Sequence, residues 1–84
     1  MEIELNAKAE RQLGKLEKRP AVHTQIEDAL DRLALNPYLG KMLEGEFTGV
    51  RSYRAGDWRV LYVVEVHRLT VFVISIADRK EAYR

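Results

Sequence analysis

From Val50 to Ile76 the chain is almost continuously β-forming, and this constrains its fold more than any other feature. Ala55-Gly56 lies between two strand-like runs and reads as a two-residue hairpin turn, since glycine accepts backbone angles that other residues resist. His67-Arg68 makes the next turn, and Leu69 to Ile76 forms a last strand rich in β-branched residues. That strand is apolar on both parities, which predicts a central position in a sheet.

With Ala55-Gly56 as the turn, Arg54 faces Asp57, Tyr53 faces Trp58 and Ser52 faces Arg59. Side chains alternate along a strand. One face then carries Val50, Ser52, Arg54, Arg59 and Leu61; the other carries Arg51, Tyr53, Trp58, Val60, Tyr62 and Val64. The aromatic face is expected to pack inward and the arginine face to look outward. A slip of one residue would exchange the two.

Ahead of the hairpin, Met1-Glu2-Ile3-Glu4-Leu5 alternates as a half-buried strand does. Asn6 can cap a helix whose inner face is Ala9, Leu13 and Leu16. Pro20 breaks that helix and can open the next, in which Val22, Ile26, Ala29, Leu30 and Leu33 form the apolar stripe. Asn36-Pro37 ends the second helix, because a residue before proline avoids helical angles. Residues 38–49, punctuated by Gly40, Gly45 and Gly49, read as a loop. The order is β-α-α-β-β-β, an α+β domain spanning residues 1–84. A two-helix hairpin packs on one face of a small, curved, mainly antiparallel sheet, and the other face is left for function.

Composition narrows the chemistry. The chain has no cysteine and two histidines far apart, so no thiolate site or metal-ligand spacing appears, and neither metal nor cofactor is expected. No apolar run approaches the ~18 residues of a membrane span, and the N-terminus lacks a signal-peptide pattern, so a cytoplasmic protein is expected. Residues 1–50 hold seven lysines and arginines against nine aspartates and glutamates, a net of −2. Residues 51–84 hold seven against four, a net of +3. An anionic partner should therefore meet the C-terminal part, where the guanidinium fork can grip phosphate oxygens in pairs.

The segment Arg51-Ser52-Tyr53-Arg54-Ala55-Gly56-Asp57-Trp58-Arg59-Val60-Leu61-Tyr62 resembles the RelE/ParE superfamily of type II toxin–antitoxin toxins, in its RelE-like branch. So does Asp78-Arg79-Lys80-Glu81-Ala82-Tyr83 after the last strand, and so do Leu43-Glu44-Gly45 and the helical-hairpin start. The resemblance implies a ribosome-dependent endoribonuclease that cuts messenger RNA in the decoding site. It also implies a cognate antitoxin, ribosome and messenger RNA as partners, and a heterotetramer with the antitoxin. The ParE-like alternative inhibits DNA gyrase without RNA chemistry, and a decayed toxin that only binds antitoxin is a third. Matched position by position, Arg59, Arg79 and Tyr83 take the catalytic roles: contact to the scissile phosphate, phosphate stabilisation or leaving-group protonation, and nucleotide stacking. Arg54, Arg51 and Lys80 are the RNA-binding candidates. Three positions differ from relatives: Ser52 stands where some carry lysine or arginine, Val50 where some carry lysine, and Asp78 where many carry histidine.

Cleavage by the neighbouring 2′-hydroxyl needs a proton acceptor, positive charge at the phosphate and a donor for the leaving 5′-oxygen. Arg59 and Arg79 can supply charge but not basicity, since guanidinium stays protonated. Asp78 and Glu81 are the residues here able to accept a proton.

Overall fold

A computed structural model describes residues 1–80 of the chain. Strand β1 (Glu2–Leu5) leads into helices α1 (Ala7–Lys15) and α2 (Pro20–Leu35), followed by strands β2 (Lys41–Met42), β3 (Arg51–Ala55), β4 (Trp58–Glu65) and β5 (Thr70–Asp78). The strands form one sheet in the order β1-β5-β4-β3-β2, antiparallel except where β1 runs parallel to β5. The expected α+β architecture therefore holds, with one strand more than expected. β2 lies inside the glycine-punctuated segment read as loop. Two residues are too few to show a period of alternation.

The helix boundaries follow the capping logic. The Asn6 side chain accepts the Ala9 backbone N–H at 2.8 Å, satisfying one of the donors a helix leaves free at its start. Pro20 occupies the first turn of α2, and Asn36 ends it. Ala9, Leu16, Ile26, Ala29, Leu30 and Leu33 from the helical side meet Ala55, Val60, Tyr62, Val71, Val73 and Ile76 from the sheet in one core. Among the described residues, no helix is long and apolar enough to cross a membrane.

The hairpin turns one residue later than expected. Ala55 pairs with Trp58, Arg54 with Arg59, Tyr53 with Val60 and Ser52 with Leu61, so Gly56-Asp57 is the turn. Gly56 has φ +63°, and its lack of a Cβ meets that requirement at the turn's first central position. Moving the turn by one residue moves every partner by two. Alternation is unchanged, and the arginine and aromatic faces are as expected.

β5 is indeed central, but its double-parity apolar pattern has a second cause. Leu61 pairs with Ser75 while Tyr62 pairs with Val73, so Ile74 is an extra residue. This bulge rephases the strand. Val71 and Val73 face the helices before it and Ile76 after it, whereas Ser75 and Ala77 fall on the open face. The Ile76 N–H donates to the Gln12 side-chain oxygen at 2.6 Å.

The segment between α2 and β3 is pinned by Tyr62. Its fully buried side chain donates from the hydroxyl to the Pro37 carbonyl at 2.7 Å and accepts the Gly40 N–H at 2.8 Å. A Cβ on Gly40 would lie 2.5 Å from the Tyr62 oxygen, so glycine is sterically required there. Burial pushes the Tyr62 phenol above its ordinary pKa, against the lowering effects of the Gly40 N–H and the Arg51 guanidinium.

Gly40→Ala should cost about 1–3 kcal/mol through overpacking. Tyr62→Phe should cost a similar amount, roughly 1–3 kcal/mol, by stranding a buried N–H and a carbonyl. Chemical denaturation measures both. The unfolded chain releases the phenolic proton first, so Tyr62 contributes its full stabilisation below about pH 10 and loses it as pH rises further. Tyr62→Phe should flatten that alkaline decline, and an unchanged decline would assign it to other groups.

Candidate nucleic-acid interface

β4 alternates between the two sides of the sheet, and this alternation builds the site. Trp58, Val60 and Tyr62 turn toward the helices, with Trp58 only partly covered. Arg59 therefore points to the open face, where β3 contributes Ser52 and Arg54 at cross-strand positions. β2 adds Lys41, the register partner of Ser52. Together with Leu43, these residues line a cavity of about 340 Å³. Buried Ser52, Leu61, Ser75 and Ala77 belong to the same face, and three of these four side chains are small.

The electrostatics of this cavity are one-sided. Among the described residues lining it there are three cations and no carboxylate. None of the three forms an ion pair with a described residue; among the described residues Arg68 pairs with Glu4 and Glu65, and His23 lies 3.0 Å from Glu27. Arg54 donates from Nε to the Gly56 carbonyl at 3.1 Å, and Arg59 approaches the Trp58 carbonyl at 3.5 Å. Direct cross-strand placement of like charges destabilises a sheet by a fraction of a kcal/mol to about 1 kcal/mol. A bound anion would relieve any such repulsion between Arg54 and Arg59.

The other candidate residues lie elsewhere. Arg51 belongs to the helix side: it donates to the Gly40 carbonyl at 2.8 Å, and its guanidinium sits 5.1 Å from the Tyr38 ring centroid. It supports the segment that carries Lys41 and does not line the cavity. Arg79, Asp78 and Lys80 line a second cavity of about 380 Å³ with Arg19, Asp57 and Trp58. There the Arg79 N–H donates to the Asp57 carbonyl at 2.8 Å, and an Asp78 carboxylate oxygen accepts the Lys80 N–H at 3.0 Å. Arg54 and Arg59 line one cavity together, whereas Arg79, Lys80 and Asp78 line the second, beside the hairpin turn. Glu81 and Tyr83 lie outside the described residues.

Sequence reasoning missed Lys41. It stands between two glycines in an apparent loop, and the available signal was weak: a basic residue followed two positions later by Leu43, an alternation too short to stand out.

Residues 3–83 match the family described as ParE toxin of type II toxin-antitoxin system, parDE. Toxin RelE of Mycobacterium tuberculosis is 35% identical over 83 residues, covering 98% of this chain and 84% of that protein. Toxin RelG of the same organism is 31% identical over 83 residues, covering 98% and 94%. A chain in the crystal structure of the toxin-antitoxin complex RelBE2 from Mycobacterium tuberculosis superposes with a TM-score of 0.78 at 30% identity, over 93% of this chain and 96% of that one. The chain belongs to the RelE/ParE superfamily of type II toxin–antitoxin toxins.

If Arg54 and Arg59 repel, the single substitutions Arg54→Thr and Arg59→Thr should not add. A double-mutant cycle on stability should return a repulsive coupling of about 0.2–1 kcal/mol at low ionic strength. Added salt should shrink it. A coupling of zero at low salt would mean that the two guanidiniums are splayed into solvent and share no anion site.

Proposed function

We propose that this toxin is an endoribonuclease that cuts messenger RNA on the ribosome, with the open sheet face receiving the RNA backbone. The observation that carries this reading is the cross-strand Arg54–Arg59 pair in a cavity lined by cations without a carboxylate among the described residues. Arg59 contacts the non-bridging oxygens of the scissile phosphate, and Arg54 holds the backbone beside it. As the substrate 2′-oxygen loses its proton and bonds to phosphorus, negative charge grows on those oxygens. A fixed guanidinium stabilises that charge more than it does the ground state. The P–O5′ bond breaks, leaving a 2′,3′-cyclic phosphate on one fragment and a 5′-hydroxyl, once protonated, on the other.

Arg79 and Lys80 serve the neighbouring nucleotide from the second cavity, with Tyr83 as stacking group. Asp78 and Glu81 are the candidates for accepting the proton. Ribosomal positioning of the message supplies much of the rate, since orientation alone can offset a weak base. A cognate antitoxin neutralises the chain; this rests on the related chain of the Mycobacterium tuberculosis RelBE2 structure, which is a toxin-antitoxin complex.

The match to the ParE family description favours a second reading, a gyrase inhibitor that needs no RNA chemistry. Primer extension on a message after induction separates the two. The nuclease reading expects cuts within codons, reduced about 10²–10³-fold in Arg59→Ala, the usual effect of losing one charge-stabilising donor. Growth arrest with intact messages, together with loss of supercoiling by purified gyrase, would replace it with the second reading. Induction that leaves growth untouched would point to a chain that only binds antitoxin.

A further inference from the structure

The open-face cavity has a third cation that neither the sequence motif nor the family match assigns, and its backbone is anchored on both sides. Lys41 sits on β2 directly across from Ser52. Cross-strand partners share a face, so its side chain lies on the same side as Arg54 and Arg59. Ser52 is small, which leaves the lysine stem room to cross the strand toward the arginines.

Anchoring comes from both sides of β2. Before it, the Tyr62 hydroxyl holds Pro37 and Gly40, while Arg51 holds the Gly40 carbonyl and stacks on Tyr38. After it, the Leu43 N–H donates to the Val50 carbonyl at 2.9 Å. A two-residue edge strand would otherwise fray. Five polar or stacking contacts around position 41 hold its backbone against the sheet, yet the Lys41 side chain itself forms no ion pair or hydrogen bond with a described residue. A fixed base with an unengaged ammonium suits a diffuse anionic ligand, because ammonium acts as a point charge and tolerates varied phosphate geometry.

We propose that Lys41 is an RNA-backbone ligand of the open-face cavity, holding the phosphate next to the one at Arg54 and Arg59, and that Tyr62 is a positioning residue acting on RNA binding through Lys41. This rests on the reading of the cavity as an RNA-backbone site. Lys41 takes the neighbouring phosphate because it comes from the adjacent strand, ~4.8 Å away in the sheet, and a single phosphate already engages two guanidiniums.

The test is binding of the full chain to a short single-stranded oligoribonucleotide carrying 2′-O-methyl groups, which cannot be cleaved by 2′-attack. Fluorescence anisotropy is followed over a range of KCl concentrations. Lys41→Met should weaken binding by about fivefold at low salt and lower the slope of log affinity against log salt by roughly 0.7, the signature of one lost phosphate contact on a single strand. Lys41→Arg should restore most of both. Tyr62→Phe should weaken binding in the parent chain but add little in the Lys41→Met background, an outcome that a purely structural loss of folded protein would not produce.

Arg59→Met is the control for the underlying reading. If Arg59→Met weakens binding and Lys41→Met matches the parent in affinity and slope, the Lys41 assignment is wrong and the cavity reading survives. If neither substitution changes binding, or the parent chain shows no salt-dependent binding, both are wrong. A lowered slope in Lys41→Met supports the assignment whatever Arg59→Met does. Equal additive losses from Tyr62→Phe in both backgrounds would overturn the positioning role alone.

Discussion

Trp58, Val60 and Tyr62 of β4 turn toward the helices, and their burial holds Arg59 on the opposite face. Fully burying a large apolar side chain stabilises by roughly 1.5–3 kcal/mol, whereas like-charge repulsion across the sheet costs about 1 kcal/mol or less. The core therefore decides the register of the hairpin, and the arginines accept the positions it leaves them. Because a strand alternates strictly, reversing the arginines would require exposing Val60 and Tyr62, two residues with no accessible surface. An electrostatically unfavourable arrangement can persist only where packing of this kind overrides it.

Tyr62 extends the same constraint to the edge of the sheet. Its ring belongs to the core, while its hydroxyl fixes the segment leading into β2. A cross-link of this type does two things. It satisfies backbone groups that would otherwise be buried without partners, and it turns an exposed stretch between glycines into a strand with a defined register. Arg51 works from the same side, through the Gly40 carbonyl and the Tyr38 ring. Helix-side contacts thus determine what stands on the open face, although none of them reaches it.

The legible parts of this chain were those governed by local rules. Asn6, Pro20 and Asn36 bound the helices where their capping and backbone preferences put them. The two hairpin faces survived a misplaced turn, because Gly56-Asp57 and Ala55-Gly56 differ by a shift that preserves parity. What escaped depended on partners distant in sequence. β2 exists because Arg51 and Ser52 supply it with a ladder, and the β5 bulge appears only when β5 is set against β4. At the site, alternation sufficed to unite Arg54 with Arg59 and to put Arg51 on the other side. It could not bring in Lys41, nor show that Arg79 and Lys80 gather around Trp58 and Asp57 at the hairpin turn.

That separation bears on how a nucleic acid could lie on the molecule. Consecutive residues Trp58 and Arg59 point to opposite sides of the sheet, so the cavity at Arg59 and the cavity at Arg79 flank the start of one strand. The Asp57 carbonyl, accepting the Arg79 N–H, ties the hairpin turn to the end of β5. The two cavities share no lining residue, so on the proposed function a strand meets Arg59 and Arg79 at separate positions. A flexible single strand bending round the hairpin end can meet them in succession, and a stiff duplex is poorly shaped to do so. On the proposed function, this arrangement suits an extended single strand following a bent path rather than a stiff duplex.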